Sequence, residues 1–236
     1  MFKNLAPAET REIEHLFELS SSTECIIIQK YQFSINLLTF HRLKDGEWLN
    51  DDIINFYIEL LREDSTQYGQ CKSQTYFANT FFFKYLKDFE GNFCYENVIK
   101  WTKDMNIFKM KRLLFPLHTF GSHWALALID MVSKEIHYID SIHNDGTFAS
   151  LTIFNMWLSK EYDKWHHTPT PFDHFKLVKS NCPPQTNCTD CGIFLLTYMH
   201  LIYLNKSLDL MDQSMAPVMR RKVAFSIARG ILQVIS

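Results

Sequence analysis

Residues 191–204, CGIFLLTYMHLIYL, constrain the fold of this chain more than any other segment. Fourteen residues with hardly a polar side chain are too long for one strand, which usually runs about 3–10 residues. They fall short of the ~18 consecutive apolar residues from which a membrane-spanning helix is read. The run therefore reads as a buried helix. The 236 residues are 47% hydrophobic and 15% aromatic, with 20 Phe, which is ample material for a core around it. At ~100–200 residues per domain, the length fits one large domain or two small ones.

The other segments fall into a simple order. Residues 8–19 read as a short polar helix, part of an N-terminal extension over 1–30 that precedes a single domain at 31–236. TFHRL at 39–43 reads as one helical turn. In WLNDDIINFYIELL (48–61), Asn50 or Asp51 can cap a helix whose apolar face is Ile53, Ile54, Phe56, Tyr57, Leu60 and Leu61. YFANTFFFKYLKDF (76–89) reads as a second helix. The period then shortens. RLLFPL (112–117), WALALID (124–130), EIHYIDS (135–141) and FKLVKS (175–180) read as strands, the middle two joined as a hairpin through MVSK. KEYDKWHHTPTPFDH (160–174) carries no usable motif and reads as a loop, and residues 215–235 as a closing helix. Helices, then a cluster of strands, then helices again make an α+β fold.

Net charge is −2, so nothing suggests a general nucleic-acid footprint. The first twenty residues carry charges throughout and no apolar h-region, which argues against a secretory signal. Cys25, Cys71, Cys94, Cys182, Cys188 and Cys191 show no framework spacing and read as reduced thiols of the cytosol or nucleus.

Three of these cysteines crowd into NCPPQTNCTDCGIF (181–194), where three chemistries compete. A zinc site could use Cys182, Cys188, Cys191 and His200, but His200 lies about 13 Å along the helix from Cys191 at 1.5 Å per residue. A thioredoxin-like pair, Cys188 and Cys191, would start a helix after a strand, but it comes late in the chain with helices after it. A catalytic thiol at Cys191 has a helix N-terminus to stabilise its thiolate and Gly192 beside it to let a substrate backbone approach. Taken alone, Cys191 reads equally as an inert buried thiol.

A nucleophile also needs a base and an orienting group. A two-residue loop at 131–132 would set His123 opposite Asp140, with Cβ atoms ~4.5–5.5 Å apart, a distance that suits a carboxylate holding an imidazole. Singly they are an ordinary surface histidine and a turn aspartate. Gln185, on an approach stiffened by Pro183 and Pro184, could donate its side-chain amide to an oxyanion together with the backbone N–H of Cys191; otherwise it is a solvated loop residue.

WLNDDIINFY (48–57), HWALALIDMVSKEIHYIDS (123–141) and QTNCTDCGIF (185–194), with NTFFFKYL (79–86) and VIKWTKDMNIF (98–108), together resemble the ubiquitin-like-protein-specific cysteine proteases, the sentrin/SUMO-specific family, over roughly residues 33–232. The resemblance implies a papain-like cysteine protease fold, with a central mixed sheet flanked by helices and the nucleophile at a helix N-terminus. It implies His123, Asp140 and Cys191 as the triad, with Gln185 in the oxyanion hole and no cofactor or metal. The implied reaction is cleavage after the C-terminal Gly-Gly of SUMO, in precursor processing and in isopeptide deconjugation. Trp48 and Trp124 would form the slot over the diglycine, and Asp51, Phe81 and Lys100 would meet the modifier. The implied partners are SUMO or a related modifier and its conjugates, not nucleic acid or membrane. The implied setting is a monomer in the nucleus or cytoplasm. The alternatives are a protease for NEDD8 or ubiquitin and a modifier-binding module without catalysis. Cys188, Thr189 and Lys100 depart from the residues most frequent at those positions in the family, where Gly or Ser, an aromatic or Ser, and Arg prevail.

Overall fold

In the computed structural model the run from Cys191 is helical over Cys191–Tyr203, and every residue of it is buried. The structure describes all residues except 1–3, 68–73, 169, 172, 234 and 236. Cys71, the ends of the N-terminal and C-terminal segments, and two positions of the 160–174 stretch therefore lie outside the described residues. In chain order the elements are α1 (Pro7–Glu18), β1 (Ile26–Lys30), β2 (Phe33–Asn36), α2 (Leu37–Phe40), α3 (Asp51–Gln67), β3 (Thr75–Phe77), α4 (Phe82–Tyr85), β4 (Arg112–Thr119), β5 (His123–Asp130), β6 (Glu135–Ile139), α5 (Ile153–His166), β7 (Lys176–Lys179), α6 (Cys191–Tyr203) and α7 (Ala216–Arg229). The fold is α+β with a mixed five-stranded sheet. The chain divides into two compact units, Met1–Lys72 with Cys182–Ser236, and Ser73–Asn181. Among the described residues no helix is long and apolar enough to cross a membrane.

The first unit is built on α3, α6 and α7, which pack against one another. Helix α3 buries Ile53, Ile54, Phe56, Tyr57, Leu60 and Leu61, the face expected from their spacing. Its N-terminal cap is Asn50, whose side chain accepts from the Ile53 N–H at 3.2 Å. Helix α1 lies on α7 and buries Ile13 and Phe17. Helix α7 ends at Arg229 because Gly230 takes φ +63°, a left-handed C-terminal stop, so the helix is shorter than the 215–235 expected. Strands β1 and β2 form an antiparallel hairpin whose two turn residues, Tyr31 and Gln32, both have positive φ.

The second unit is the sheet, in the order β3-β4-β5-β6-β7. Strands β4, β5 and β6 are antiparallel, and β3 and β7 pair in parallel with β4 and β6. Its core is aromatic: Phe115 sits 4.9 Å from Phe82 and 4.6 Å from Phe154, with Trp157 edge-on to Phe82 at 5.2 Å.

Two expectations fail here. Residues 76–89 are not one helix. Tyr76 and Phe77 pair in parallel with Leu113 and Leu114, and Asn79 caps the Phe81 N–H at 3.1 Å, so only one helical turn follows. Asp88 then accepts from the Glu90 and Asn92 N–H groups and reverses the chain. The stretch 160–174 is not all loop either. Helix α5 runs through its first seven residues and lays Phe154, Trp157, Leu158 and Glu161 on one buried face.

Candidate active site

His123 opens β5, paired with Thr119 across a tight turn in which Phe120 and Gly121 have positive φ. Asp140 follows directly on β6. The β5–β6 register is Asp130↔Glu135 through Leu126↔Ile139, with a four-residue loop at 131–134. The two-residue loop at 131–132 is therefore wrong. Asp130 accepts from the Val132 and Ser133 N–H groups at 2.8 and 3.0 Å, and Lys134 adopts φ +58°, which widens the turn. His123 and Asp140 nonetheless meet: Nε2 of the imidazole lies 2.6 Å from Asp140 Oδ1, and both residues are buried. An ionised carboxylate only accepts, so Nε2 carries the proton and Nδ1 is the basic nitrogen.

Asp140 is held from several directions. Its Oδ1 also accepts from the Ile142 N–H at 3.0 Å, and Oδ2 from the Tyr138 hydroxyl at 3.1 Å and the Asn144 N–H at 3.0 Å. Burial alone would raise its pKa. The hydrogen bonds from His123 and the two amides outweigh burial and hold the carboxyl below its ordinary value, so it is ionised at neutral pH.

In the first unit, Cys191 is the first residue of α6 and is buried. The loop before it is shaped by Asn187, whose Oδ1 accepts from the Thr189 and Asp190 N–H groups, both at 3.1 Å. Gln185 is buried too, and its Nε2 donates to the Asn187 carbonyl at 2.5 Å. Asp190 stands at the N-cap of α6 but makes no side-chain cap. Its carboxylate turns away, to Arg220 Nε and Nη2 at 2.9 and 2.6 Å and to the side-chain amides of Asn187 and Gln213, each at 2.7 Å. A carboxylate that could have taken the amides at the start of α6 is thus committed elsewhere. Burial pushes its pKa up, and these donors more than reverse the effect, so Asp190 stays ionised opposite Arg220.

At Gly192 the absence of a side chain serves packing within the protein. A Cβ there would stand 2.8 Å from Leu49 Cβ, so the glycine lets the Trp48–Leu49 segment approach α6. Trp48 itself is 49% exposed, and its indole N–H donates to the Cys188 carbonyl at 2.9 Å. Asp51 lies in the first turn of α3, partly exposed, beside the capping Asn50.

In the second unit, Trp124 is buried on β5, its ring 4.4 Å from that of His118. Phe81 is exposed while its neighbours Phe82 and Phe83 are core, as expected. Lys100 sits exposed on a single 3₁₀ turn, Ile99–Trp101. Glu161 reaches both flanks of that turn. Its Oε1 accepts from the hydroxyls of Tyr95 and Thr102 at 2.8 and 2.6 Å, and Oε2 pairs with Lys164 at 2.6 Å. Arg220, Asn187, Gln213 and Glu161 were not among the residues singled out from sequence: Arg220, Gln213 and Glu161 have partners on distant segments, and Asn187 orders its own loop through Thr189 and Asp190 without a motif that marks it.

His200 joins no ligand set with the cysteines. It is fully buried, with Nδ1 2.8 Å from the Tyr57 hydroxyl, and burial followed by the nearby charges of Lys222 and Lys206 lowers its pKa to about 3. Among the described residues no group of three or more His, Cys, Asp or Glu is placed to hold a metal ion. Among the described residues, Cys25, Cys94, Cys188 and Cys191 are free thiols.

Comparison with known proteins adds identity to this geometry. The model of the Ulp1 protease family, C-terminal catalytic domain, matches residues 47–235. Sentrin-specific protease 2 of Rattus norvegicus is 30% identical over 233 residues, which cover 92% of this chain and 38% of that protein. Ubiquitin-like-specific protease 1 of Saccharomyces cerevisiae is 29% identical over 218 residues, which cover 91% and 33%. The chain thus spans between 33% and 38% of the length of these two curated relatives. Among solved structures, the C-terminal Ulp1 protease domain in complex with Smt3, the yeast ortholog of SUMO, matches with a TM-score of 0.82 at 27% identity over 99% of both chains. The SUMO protease Ulp1 with its catalytic cysteine oxidised to a sulfenic acid matches with a TM-score of 0.81 at 26% identity, over 98% of this chain and 99% of that one.

Proposed function

This chain belongs to the Ulp1 protease family, and on that premise we propose that it is a SUMO-directed cysteine protease cutting after the modifier's C-terminal Gly-Gly, in precursors and in isopeptide-linked conjugates. The observation that carries the reading is the buried His123–Asp140 pair, bonded through Nε2 so that Nδ1 is the base. Cys191 gives its thiol proton to His123 Nδ1, and the sulfur attacks the carbonyl carbon of the terminal glycine. The resulting oxyanion takes hydrogen bonds from the Gln185 amide and the Cys191 N–H. As the C–N bond breaks, the leaving amine takes the proton from His123, and a thioester remains. Water then gives a proton to His123 and attacks the thioester. As the C–S bond breaks, Cys191 recovers its proton from His123, and the modifier leaves as a carboxylic acid that ionises to the carboxylate by releasing its proton to water. Asp140 keeps the imidazole in one tautomer and stabilises its cationic form.

Trp48 and Trp124 serve as the walls over the diglycine. Two flat rings can leave a slot that glycine passes and a residue with a Cβ does not. Asp51, Phe81 and Lys100 contact the modifier's surface, an acid, an aromatic and a base suited to a polar protein face. Residues 31–236 carry every one of these roles. The enzyme works as a monomer on SUMO or a related modifier and its conjugates, in the nucleus or the cytoplasm.

The test uses full-length SUMO, NEDD8 and ubiquitin, each bearing a C-terminal electrophile in place of the terminal carboxylate. A covalent adduct with SUMO, lost in Cys191→Ala, is expected. An adduct with NEDD8 or ubiquitin in its place overturns the substrate, and the absence of any adduct overturns the protease reading.

A further inference from the structure

Arg220 stands in the middle of α7 and is buried, 1% exposed, yet it forms six close polar contacts. Nη1 donates to the carbonyls of Arg42 at 3.3 Å and Lys44 at 2.7 Å, and Nη2 to that of Glu47 at 2.7 Å. These three carbonyls belong to the segment, a 3₁₀ turn at His41–Leu43 and the loop after it, that leads directly into Trp48. On the other side Nη2 reaches the Thr189 carbonyl at 3.1 Å, and Nε and Nη2 reach Asp190 Oδ1 at 2.9 and 2.6 Å. Those acceptors are the two residues immediately before Cys191. One planar fork therefore grips the loop that carries the indole and the loop that carries the nucleophile.

The two loops also touch directly, through the Trp48 indole on the Cys188 carbonyl and through Leu49 against Gly192. Neither contact sets a distance unaided. The indole is half-exposed and held by a single hydrogen bond, and the Leu49 contact resists only closer approach. The guanidinium, with every donor engaged, resists movement in both directions. A lysine could not replace it, because an ammonium on a flexible stem has three donors and no fixed fork. Stability alone does not explain the arrangement, since a buried ion pair is often no better than a well-packed apolar pair.

We propose that Arg220 is a positioning residue for the proposed cleavage: by fixing the Trp48 loop against the Cys191 loop, it holds the Trp48 wall close enough to reject a side chain at the penultimate position of the modifier's tail. This inference rests on the protease reading above. A misplacement of about 1 Å in a reacting geometry costs roughly a hundredfold, and the same displacement of a wall relaxes its rejection of a Cβ. The signature is therefore lost selectivity, which simple loss of folded protein does not produce.

The measurement is kcat/KM on SUMO fusions whose tails end in Gly-Gly or in Ala-Gly, with the unsubstituted enzyme and with Arg220→Lys. The lysine keeps a positive charge opposite Asp190 and loses the fork. The expected result is a fall of roughly tenfold or more in the Gly-Gly to Ala-Gly ratio. An unchanged ratio in folded Arg220→Lys overturns the proposal. Arg220→Ala, with and without millimolar guanidinium ion, covers a lysine variant that does not fold. Rescue of the ratio by guanidinium and not by potassium supports the proposal. Guanidinium that restores the melting temperature and leaves the ratio relaxed overturns it. If the unsubstituted enzyme cleaves neither tail, the protease reading falls, and this inference with it.

Discussion

Gly192→Ala is the substitution whose effect the structure determines most directly. The new Cβ would lie 2.8 Å from Leu49 Cβ and 3.0 Å from its Cγ and Cδ1. Carbon atoms in contact prefer about 3.5–4.0 Å, so the overlap is roughly 0.5–1 Å. A Cβ cannot rotate out of the way, and neither can the Cβ it meets. The main chain at Trp48–Leu49 must retreat or the start of α6 must tilt. Overpacking of this kind costs about 1–3 kcal/mol. Against it, alanine in a helix gains about 0.5–1 kcal/mol over glycine. The net is a loss of roughly 0.5–2 kcal/mol, which in a chain of this length lowers the melting temperature by about 1–8 °C. Activity should fall further than stability, by roughly ten- to a hundredfold in kcat/KM, because both ways of relieving the clash displace a proposed site residue, Trp48 or Cys191. Calorimetry and a SUMO-fusion cleavage assay on the same sample read the two effects. A melting temperature that rises, with activity intact, would show that helix propensity dominates and that the Leu49 contact is not tight, refuting the reasoning.

Three further outcomes follow from single side chains. Asp140→Asn leaves one acceptor oxygen where four donors now converge and frees the imidazole to take the wrong tautomer. Cleavage should drop by about 10³–10⁴-fold, and a loss under roughly tenfold would remove Asp140 from the mechanism. His200 is neutral in the fold down to about pH 3, while in the unfolded chain it takes a proton near its ordinary value of 6.5. Acid therefore favours unfolding across that window, at up to ~1.4 kcal/mol per pH unit. His200→Gln should flatten the dependence of unfolding free energy on pH between those limits, and an unaltered slope would assign the acid sensitivity to other groups. Glu161→Gln sets an amide against Lys164 and should cost about 1–3 kcal/mol in urea denaturation, discounted because Lys164 can turn to water. It should also raise KM for the modifier more than it lowers kcat, by loosening the turn that carries Lys100; equal effects on both would refute that link.

The parts of this structure legible in the sequence are those whose signal is local. The buried α6 announces itself by its length and apolarity, and α3 by its cap and its face. The β1–β2 hairpin does not, because its turn places Tyr31 and Gln32 at positive φ where the usual signal is Asn-Gly or Gly. Residues 76–89 form an apolar, aromatic run that reads as one helix, but parallel pairing with β4 claims Tyr76 and Phe77 for the sheet, where aromatics are favoured. The Arg220 network is the least legible of all. Arg220 and Arg221 are adjacent and chemically identical, yet one is buried against Asp190 while the other reaches Glu14 and Asp45 from the surface. Nothing local separates them, because the difference lies in which way α7 turns.

The His123–Asp140 pair shows how an observed contact can be reached from an incorrect register. The two-residue loop places Asp140 opposite His123. Continuing the observed β5–β6 pairing by one step places it opposite Ala125 instead. The error is two residues, and side chains in a strand alternate with a period of two. A slip of one would have sent the imidazole and the carboxylate to opposite faces of the sheet. A slip of two leaves them on the same face as diagonal neighbours, with Cα atoms about 7–8 Å apart. The side chains can close that gap because regular pairing stops at Leu126↔Ile139. Asp140 is then free to leave the strand, and its own carboxylate organises the turn that follows through the Ile142 and Asn144 amides. The spacing of 17 residues between the two side chains is thus compatible with more than one loop length but with only one parity, and it is parity that brings imidazole and carboxylate together.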